Sequence, residues 1–333
     1  PKQSSHPRDI DAVYPISRMS LDPALWEGIV ATGGADQGPE LVPELIEQHV
    51  SEPGVADFLP ALARVERARY QVRIGAGEIP EQVDCLSLNP TIRLLQLPWR
   101  GIPALLHAQG DTGAAGPKPG EELVLIWWDG RAGEARVRAA VDEDLLALKM
   151  AAEGLGVREV AAEGAALPAA IGNAISRAVR EGLLLAPPSL IRRDPASYAV
   201  TEDIDEAFLA SPTFVLQWHV TQACDLHCKH CYDRSDRSPL RLDQALGILD
   251  DLLAFCDDRN VRGYISFTGG NPLMYPHFAE IYRAASERGF VLSILGNPSP
   301  RARIEELLAI QPLDHFQISL EGLAEHNDDI RGP

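Results

Sequence analysis

The feature that most constrains the fold is an alternation in the last third of the chain. From residue 213 onward, short apolar runs at 214–221, 264–267, 290–295 and 315–320 take turns with stretches of helical periodicity at 240–257, 277–288 and 303–310. In the first of these helices Leu242, Leu246, Leu249, Leu253 and Cys256 recur at helical spacing. Strands separated by helices pair in parallel through right-handed crossovers. Chemistry in such sheets gathers at the C-terminal ends of the strands.

Four short motifs fall at those ends. Cys224-Asp-Leu-His-Cys228-Lys-His-Cys231 follows the first strand and Gly269-Gly270-Asn271-Pro272 the second. Gly296-Asn297-Pro298 follows the third, and Ser319-Leu-Glu-Gly322 closes the fourth. Three thiolates at this spacing can hold three irons of a four-iron cluster. The run holds no fourth cysteine, so one iron would stay open to a small molecule, unlike a cluster closed by four cysteines. The glycines let backbone approach a ligand closely, and Pro272 stiffens the turn. Backbone carbonyls and Asn271 can accept hydrogen bonds from an ammonium group, and Ser319 and Asn297 can reach a carboxylate or ribose hydroxyls.

Other readings of the same residues stand beside this one. The three cysteines with His227 or His230 form a candidate Cys3His zinc site. A closed ferredoxin-type cluster needs a fourth cysteine, and Cys256 lies mid-helix. His219 reads as a packed core histidine, with ligand contact as the alternative. Tyr232 and Asp233 either shield the cluster or simply pack. No general base can be named.

The Cys224–Cys231 loop, the GGEP-like turn at 269–272 and the SLDG-like segment at 319–322 resemble the radical S-adenosylmethionine (radical SAM) superfamily over residues 213–333, in particular its SPASM-type, peptide-modifying branch. The wider run from Trp218 to Ser235 is similar to the selenobiotic-family thio(seleno)oxazole-modification maturases. The resemblance implies an α/β domain made of the first four β/α units of a partial (β/α)6 barrel. It implies a 4Fe-4S cluster on Cys224, Cys228 and Cys231, and S-adenosylmethionine held by Gly269, Gly270, Asn271, Pro272, Asn297 and Ser319. It further implies a precursor peptide as substrate, modified by way of a 5′-deoxyadenosyl radical, and a flavodoxin- or ferredoxin-type reductant. Two positions depart from the family pattern. Asn271 stands where the family has Glu, which removes a charge from recognition of the methionine amino group, and Glu321 stands for Asp.

The same comparison implies a C-terminally truncated fragment. The chain opens at Pro1 and closes at Arg331-Gly332-Pro333, before the last two barrel strands and a Cys-rich domain, which would leave strand four as a bare edge. The alternatives are a leader-peptide or partner-binding module in an inactive fragment, and a radical SAM enzyme acting on a small molecule.

The N-terminal part reads differently. Residues 1–75 are mostly helical, with Val55, Phe58, Leu59, Leu62, Val65, Ala68 and Val72 in one stripe and a second short helix at 41–50. Residues 76–187 form an α+β region. Strands fill 91–141, including a hairpin of 123–128 and 134–141 around Asp129-Gly130, with Trp127 and Trp128 in its core. A Gly/Pro/Ala loop occupies 110–120. Helices follow at 142–150, 157–162 and 168–182, then a short strand at 183–185. This order outlines a winged helix and resembles the peptide-recognition domains that accompany peptide-modifying radical SAM enzymes; an ordinary α+β domain is the other reading. Residues 188–212 read as a linker, with Asp203, Asp205 and Glu206 on a solvated face.

Composition narrows the class. Lysine plus arginine against aspartate plus glutamate is 30 − 48 = −18, which argues against non-specific nucleic-acid binding. No apolar run approaches a membrane span, and the opening residues do not read as a signal peptide. Five cysteines, three of them clustered, fit a reducing, cytoplasmic setting better than a disulfide framework, with Cys85 and Cys256 as lone buried thiols.

Overall fold

The computed structural model describes residues 10–34, 39–107, 116–197, 204, 206–232 and 239–332. The chain divides into two compact units, Pro1–Glu153 with Ile175–Ala186, and Gly154–Ala174 with Pro187–Pro333. The expected region 76–187 is therefore shared between them.

The first unit is mixed α/β. Its central helix Leu59–Ile74 begins with Pro60 at an N-terminal position, where a missing N–H leaves no helical bond unmade. Leu59, Leu62, Val65, Ala68 and Val72 are buried along one face, the stripe expected from the sequence. After the two-residue strand β1 (Ser87–Leu88), an antiparallel sheet runs β2 (Arg93–Arg100), β3 (Lys118–Asp129) and β4 (Glu134–Ala139), with β3 in the middle. Alternation along β3 feeds two cores. Val124 and Ile126 join the cluster around Leu59–Ile74, while Leu125 and Trp127 join Ala147, Ala178 and Leu183 on the other face. The short β5 (Leu184–Leu185) returns to pair with β1. The loop expected over 110–120 is shorter at its end, because β3 already begins at Lys118, where Lys118 and Pro119 pair with β2; 108–115 lie outside the described residues.

The second unit carries the parallel sheet. Strands β6 (Thr213–Thr221), β7 (Arg262–Gly269), β8 (Val291–Leu295) and β9 (Phe316–Gln317) lie in sequence order, every pair parallel. The helices Leu242–Asp258, Phe278–Glu287 and Arg301–Leu308 make the crossovers. Trp218, Val220, Ile265, Phe267, Leu292 and Ile294 form one core with Leu249, Phe278, Ile281 and Tyr282 of the helices. The alternate positions Gln217, His219, Ser266, Thr268 and Ser293 fall on the opposite, polar face.

Four expectations change. His219 is exposed rather than packed, because β6 turns its odd-numbered residues away from the core. Cys85 is exposed, since it sits in an irregular bend ahead of β1; Cys256 is buried as expected, and burial pushes its thiol up to about 11. The fourth strand pairs only at Phe316–Gln317. The expected linker is tied down: Leu190 N donates to Arg259 O at 2.9 Å, and Arg192 bridges Ala210. Asp203, Asp205 and the Glu206 side chain lie outside the described residues. Among the described residues no helix is long and apolar enough to cross a membrane.

Candidate functional site

Past Thr221 the chain leaves the sheet and enters the cysteine loop. Backbone bonds fasten this loop to the end of β7: Gly270 N donates to Thr221 O at 2.9 Å, and Asn271 N donates to Ala223 O at 2.8 Å. Ala223 N also donates to Thr221 Oγ1 at 3.1 Å. The approach depends on the absence of side chains. Gly269 has φ +126, and a Cβ there would land on the Thr221 carbonyl oxygen. A Cβ on Gly270 would stand 2.6 Å from Gln222 O and closer still to Ala223 O. The expected glycine turn is thus the clamp of the cysteine loop.

Cys224 lies where three strand ends meet. Asn297, from the loop after β8, directs Nδ2 to Cys224 Sγ at 3.3 Å and to Asp225 Oδ1 at 2.5 Å. Asn271 Nδ2 donates to the same Asp225 oxygen at 3.1 Å. Its own Oδ1 accepts from Leu273 N at 3.2 Å and so caps the turn Pro272–Met274. Both asparagines are buried, while Asp225 is exposed. Burial pushes the Asp225 carboxyl up, and the amide donors of Asn297 and Asn271 outweigh it, holding the group below its usual range.

The second half of the loop meets the helix Ala324–Arg331. Lys229 N donates to Ile330 O at 2.8 Å, and the Lys229 ammonium pairs with Asp329. Cys231 N donates to Cys228 O at 3.1 Å. Arg331 Nη1 stands 3.9 Å from Cys228 Sγ, while its Nε donates to Glu321 Oε1 at 3.0 Å. His230 Nε2 is 3.5 Å from the same carboxylate oxygen. Arg331 holds the Glu321 carboxyl below its ordinary value.

The structure thus brings Cys224, Gly269, Gly270, Asn271, Pro272 and Asn297 together. Ser319 is exposed beyond the end of β9 and has no hydrogen bond to this group among the described residues. Tyr232 is exposed and edge-on to His219 at 6.5 Å between ring centroids; Asp233 lies outside the described residues. Sequence reasoning missed Asp225 and Arg331. An acid directly after the first cysteine was a visible signal, whereas nothing local marked Arg331.

The donor set fits an iron–sulfur cluster. Cys224, Cys228 and Cys231 are on one short loop, none is in a disulfide, and Cys224 Sγ receives an amide N–H from Asn297. Among the described residues no three His, Cys, Asp or Glu side chains converge on a single-ion site.

A parallel sheet with three thiols on the loop after its first strand, clamped by a glycine pair, defines a domain whose thiol groups gather at its strand ends. Residues 218–333 match the radical SAM superfamily, and this part of the chain is a radical SAM domain. Proteins of that superfamily use a 4Fe-4S cluster and S-adenosylmethionine. Fe-coproporphyrin III synthase of Methanosarcina barkeri is 32% identical over 124 residues, 35% of this chain and 30% of that protein. Mycofactocin maturase MftC of Mycobacterium ulcerans is 36% identical over 126 residues, 35% of this chain and 32% of that protein. The chain therefore spans about a third of the length of these curated relatives. Streptococcus suis SuiB, solved bound to its precursor peptide SuiA, aligns over 63% of this chain and 48% of that chain, with 16% identity and a TM-score of 0.33.

Proposed function

We propose that the protein is a radical SAM enzyme that modifies a ribosomally synthesised peptide in a reducing, cytoplasmic compartment. Cys224, Cys228 and Cys231 would hold the 4Fe-4S cluster, and Gly269, Gly270, Asn271, Pro272, Asn297 and Ser319 would surround S-adenosylmethionine. When bound there, the group would supply the one electron, drawn from a flavodoxin- or ferredoxin-type reductant, for reductive cleavage of the C–S bond of S-adenosylmethionine. The chain's own part is placement. Asn297 donates an N–H to the Cys224 sulfur, a contact that would tune a group held there. The glycine clamp fixes the loop against the sheet. The polar face bearing Gln217, His219, Ser266, Thr268 and Ser293 offers hydrogen-bonding groups beside it. The observation that carries the reading is the meeting of Cys224, the glycine turn and Asn297 at three adjacent strand ends.

The maturase relative favours a peptide substrate, of the thio(seleno)oxazole type by sequence resemblance. A second reading, a small-molecule substrate, is favoured by the Fe-coproporphyrin III synthase relative. The winged-helix-like region around β2–β4 would be the peptide dock, and the four β/α units part of a (β/α)6 barrel. Anaerobic reconstitution with iron, sulfide and reductant tests the enzyme reading. Cluster absorbance and 5′-deoxyadenosine are expected, and both are expected to disappear in Cys224→Ala. Reconstituted protein with neither signal would overturn the proposal. A titration against short Cys-containing peptides separates the two substrate classes: saturable binding supports the peptide reading, and its absence supports the small molecule.

A further inference from the structure

Cys224 and Cys228 meet N–H groups of different kinds. Cys224 Sγ takes the neutral amide of Asn297 at 3.3 Å. Cys228 Sγ instead has a cation beside it, Arg331 Nη1 at 3.9 Å. That cation is held in place. The Arg331 side chain is 15% exposed, and Glu321 Oε1 accepts from its Nε at 3.0 Å and also from Nη2. Glu321 is fixed in turn, because its backbone N donates to Asn327 Oδ1 at 3.2 Å. The helix Ala324–Arg331 is tied to the loop beside Cys228 by Lys229 N, which donates to Ile330 O at 2.8 Å, and by the pair of Lys229 with Asp329. The guanidinium therefore has a set position, with two N–H groups on a carboxylate and a third near a sulfur.

We propose that Arg331 and Glu321 act as a charge pair that sets the reduction potential of a cluster held at Cys228. The inference rests on the radical SAM reading above. Reduction adds one negative charge to such a cluster, and net charge and hydrogen bonds at its sulfurs are levers on its potential. A cation at the ligand sulfur favours the reduced state, and a carboxylate behind that cation opposes the effect. The guanidinium is mostly covered, so salt and water screen it only in part. Glu321 thus limits how far Arg331 raises the potential. A potential raised too far would leave too little driving force for reductive cleavage of S-adenosylmethionine. No covalent step is involved, and the electron comes from the flavodoxin- or ferredoxin-type reductant.

The test is a redox titration of the reconstituted full chain, followed by the spectrum of the reduced cluster, without S-adenosylmethionine or turnover. His230 and His326 also act on Glu321, so every potential is taken at one fixed pH. Arg331→Gln leaves the Glu321 charge unopposed and is expected to lower the midpoint potential. The expected shift is about tenfold in the reduction equilibrium, or about 59 mV for one electron, the usual worth of a hydrogen bond to a charged group. Glu321→Gln leaves the guanidinium unopposed and is expected to raise the potential. The double variant removes both charges and should return toward the wild-type value. Arg331→Lys keeps the charge and should stay closer to wild type than Arg331→Gln, even if it retains less iron. A purely mechanical latch behaves differently, because both single variants loosen the same contact. Shifts of one sign in the two single variants, loss of the cluster in both, or no shift in either would overturn the proposal while leaving the radical SAM reading intact. Wild-type protein that takes up no cluster would overturn both.

Discussion

The two units treat an acidic side chain in opposite ways. In the first, Asp144 is fully buried and its charge is consumed inside the protein. Arg138 grips both oxygens at 2.5 and 2.9 Å, Arg177 adds a contact at 3.4 Å, and Val141 N donates at 3.0 Å. Glu181 then balances Arg138 at 2.6 Å. In the second unit Asp225 is held by two neutral amides and left facing outward with its charge intact. The same chemical group serves as a structural pin in one place and as a presented charge in the other. What separates them is the partner: a guanidinium neutralises, whereas an amide only orients.

The largest test of this contrast is Asp144→Ala. It leaves Arg138 and Arg177 without their shared partner inside the first unit, and breaking a buried pair of this kind costs about 3 kcal/mol or more. The loss should appear as faster hydrogen exchange of amides in β4 and the helix Asp142–Glu153, at the C-terminal end of the β3–β4 sheet. Burial pushes the Asp144 carboxyl up, but Arg138 and the Val141 N–H outweigh it and hold the group below its ordinary 3.8. Its stabilisation is therefore complete above that value and lost as pH falls through the lower native one. Asp144→Asn should lack this acid-induced step. Asp225→Ala, by contrast, should leave the exchange of its unit nearly unchanged, and a stability loss equal to that of Asp144→Ala would erase the contrast.

A smaller effect is expected where the site is held by backbone rather than by charge. Gly270→Ala places a methyl 2.6 Å from Gln222 O, so the cysteine loop must move away from β7. The overpacking cost is about 1–3 kcal/mol, with a drop in iron retained after reconstitution as the more telling readout. Wild-type iron content in Gly270→Ala would mean that the clamp does not set the spacing of the cysteines. The contrast would then rest on Asn297 alone.

These differences mark what the sequence makes legible. The helix expected over 240–257 forms at Leu242–Asp258, and the strand expected over 214–221 at Thr213–Thr221, because each pattern is local and periodic. The glycine turn and the cysteine loop were likewise visible as motifs. The clasp on Asp225 was not, since it needs loops from three strands to close on one carboxylate. His219 was misread for a related reason. Alternation shows that a strand has two faces but not which one a neighbouring helix will cover. Arg331 reaches Cys228 across 103 positions of chain, and residues 154–174 pack with the second unit, both by long-range packing without a sequence signature.

Glu66 offers the finest test, because it stands between the two cases. It is buried like Asp144, yet like Asp225 it has no guanidinium bonded to it among the described residues. Ile16 N at 2.6 Å, Ser17 N at 3.1 Å and Ser17 Oγ at 2.5 Å donate to it, tying the N-terminal end of the helix Pro15–Met19 to Leu59–Ile74. Burial pushes its carboxyl above the ordinary 4.5, and the Ser17 hydroxyl and the two backbone donors only partly offset this. The sign is therefore opposite to that of Asp144. The folded state keeps the proton to higher pH than the unfolded chain. The stabilisation is full below 4.5 and fades as pH rises through the native value. Thermal unfolding followed across that window should show a small decline in wild type that Glu66→Gln lacks. If the neutral variant declines equally, donors without positive charge are enough to hold a buried carboxylate ionised. Burial would then matter less than the partner even in the interior.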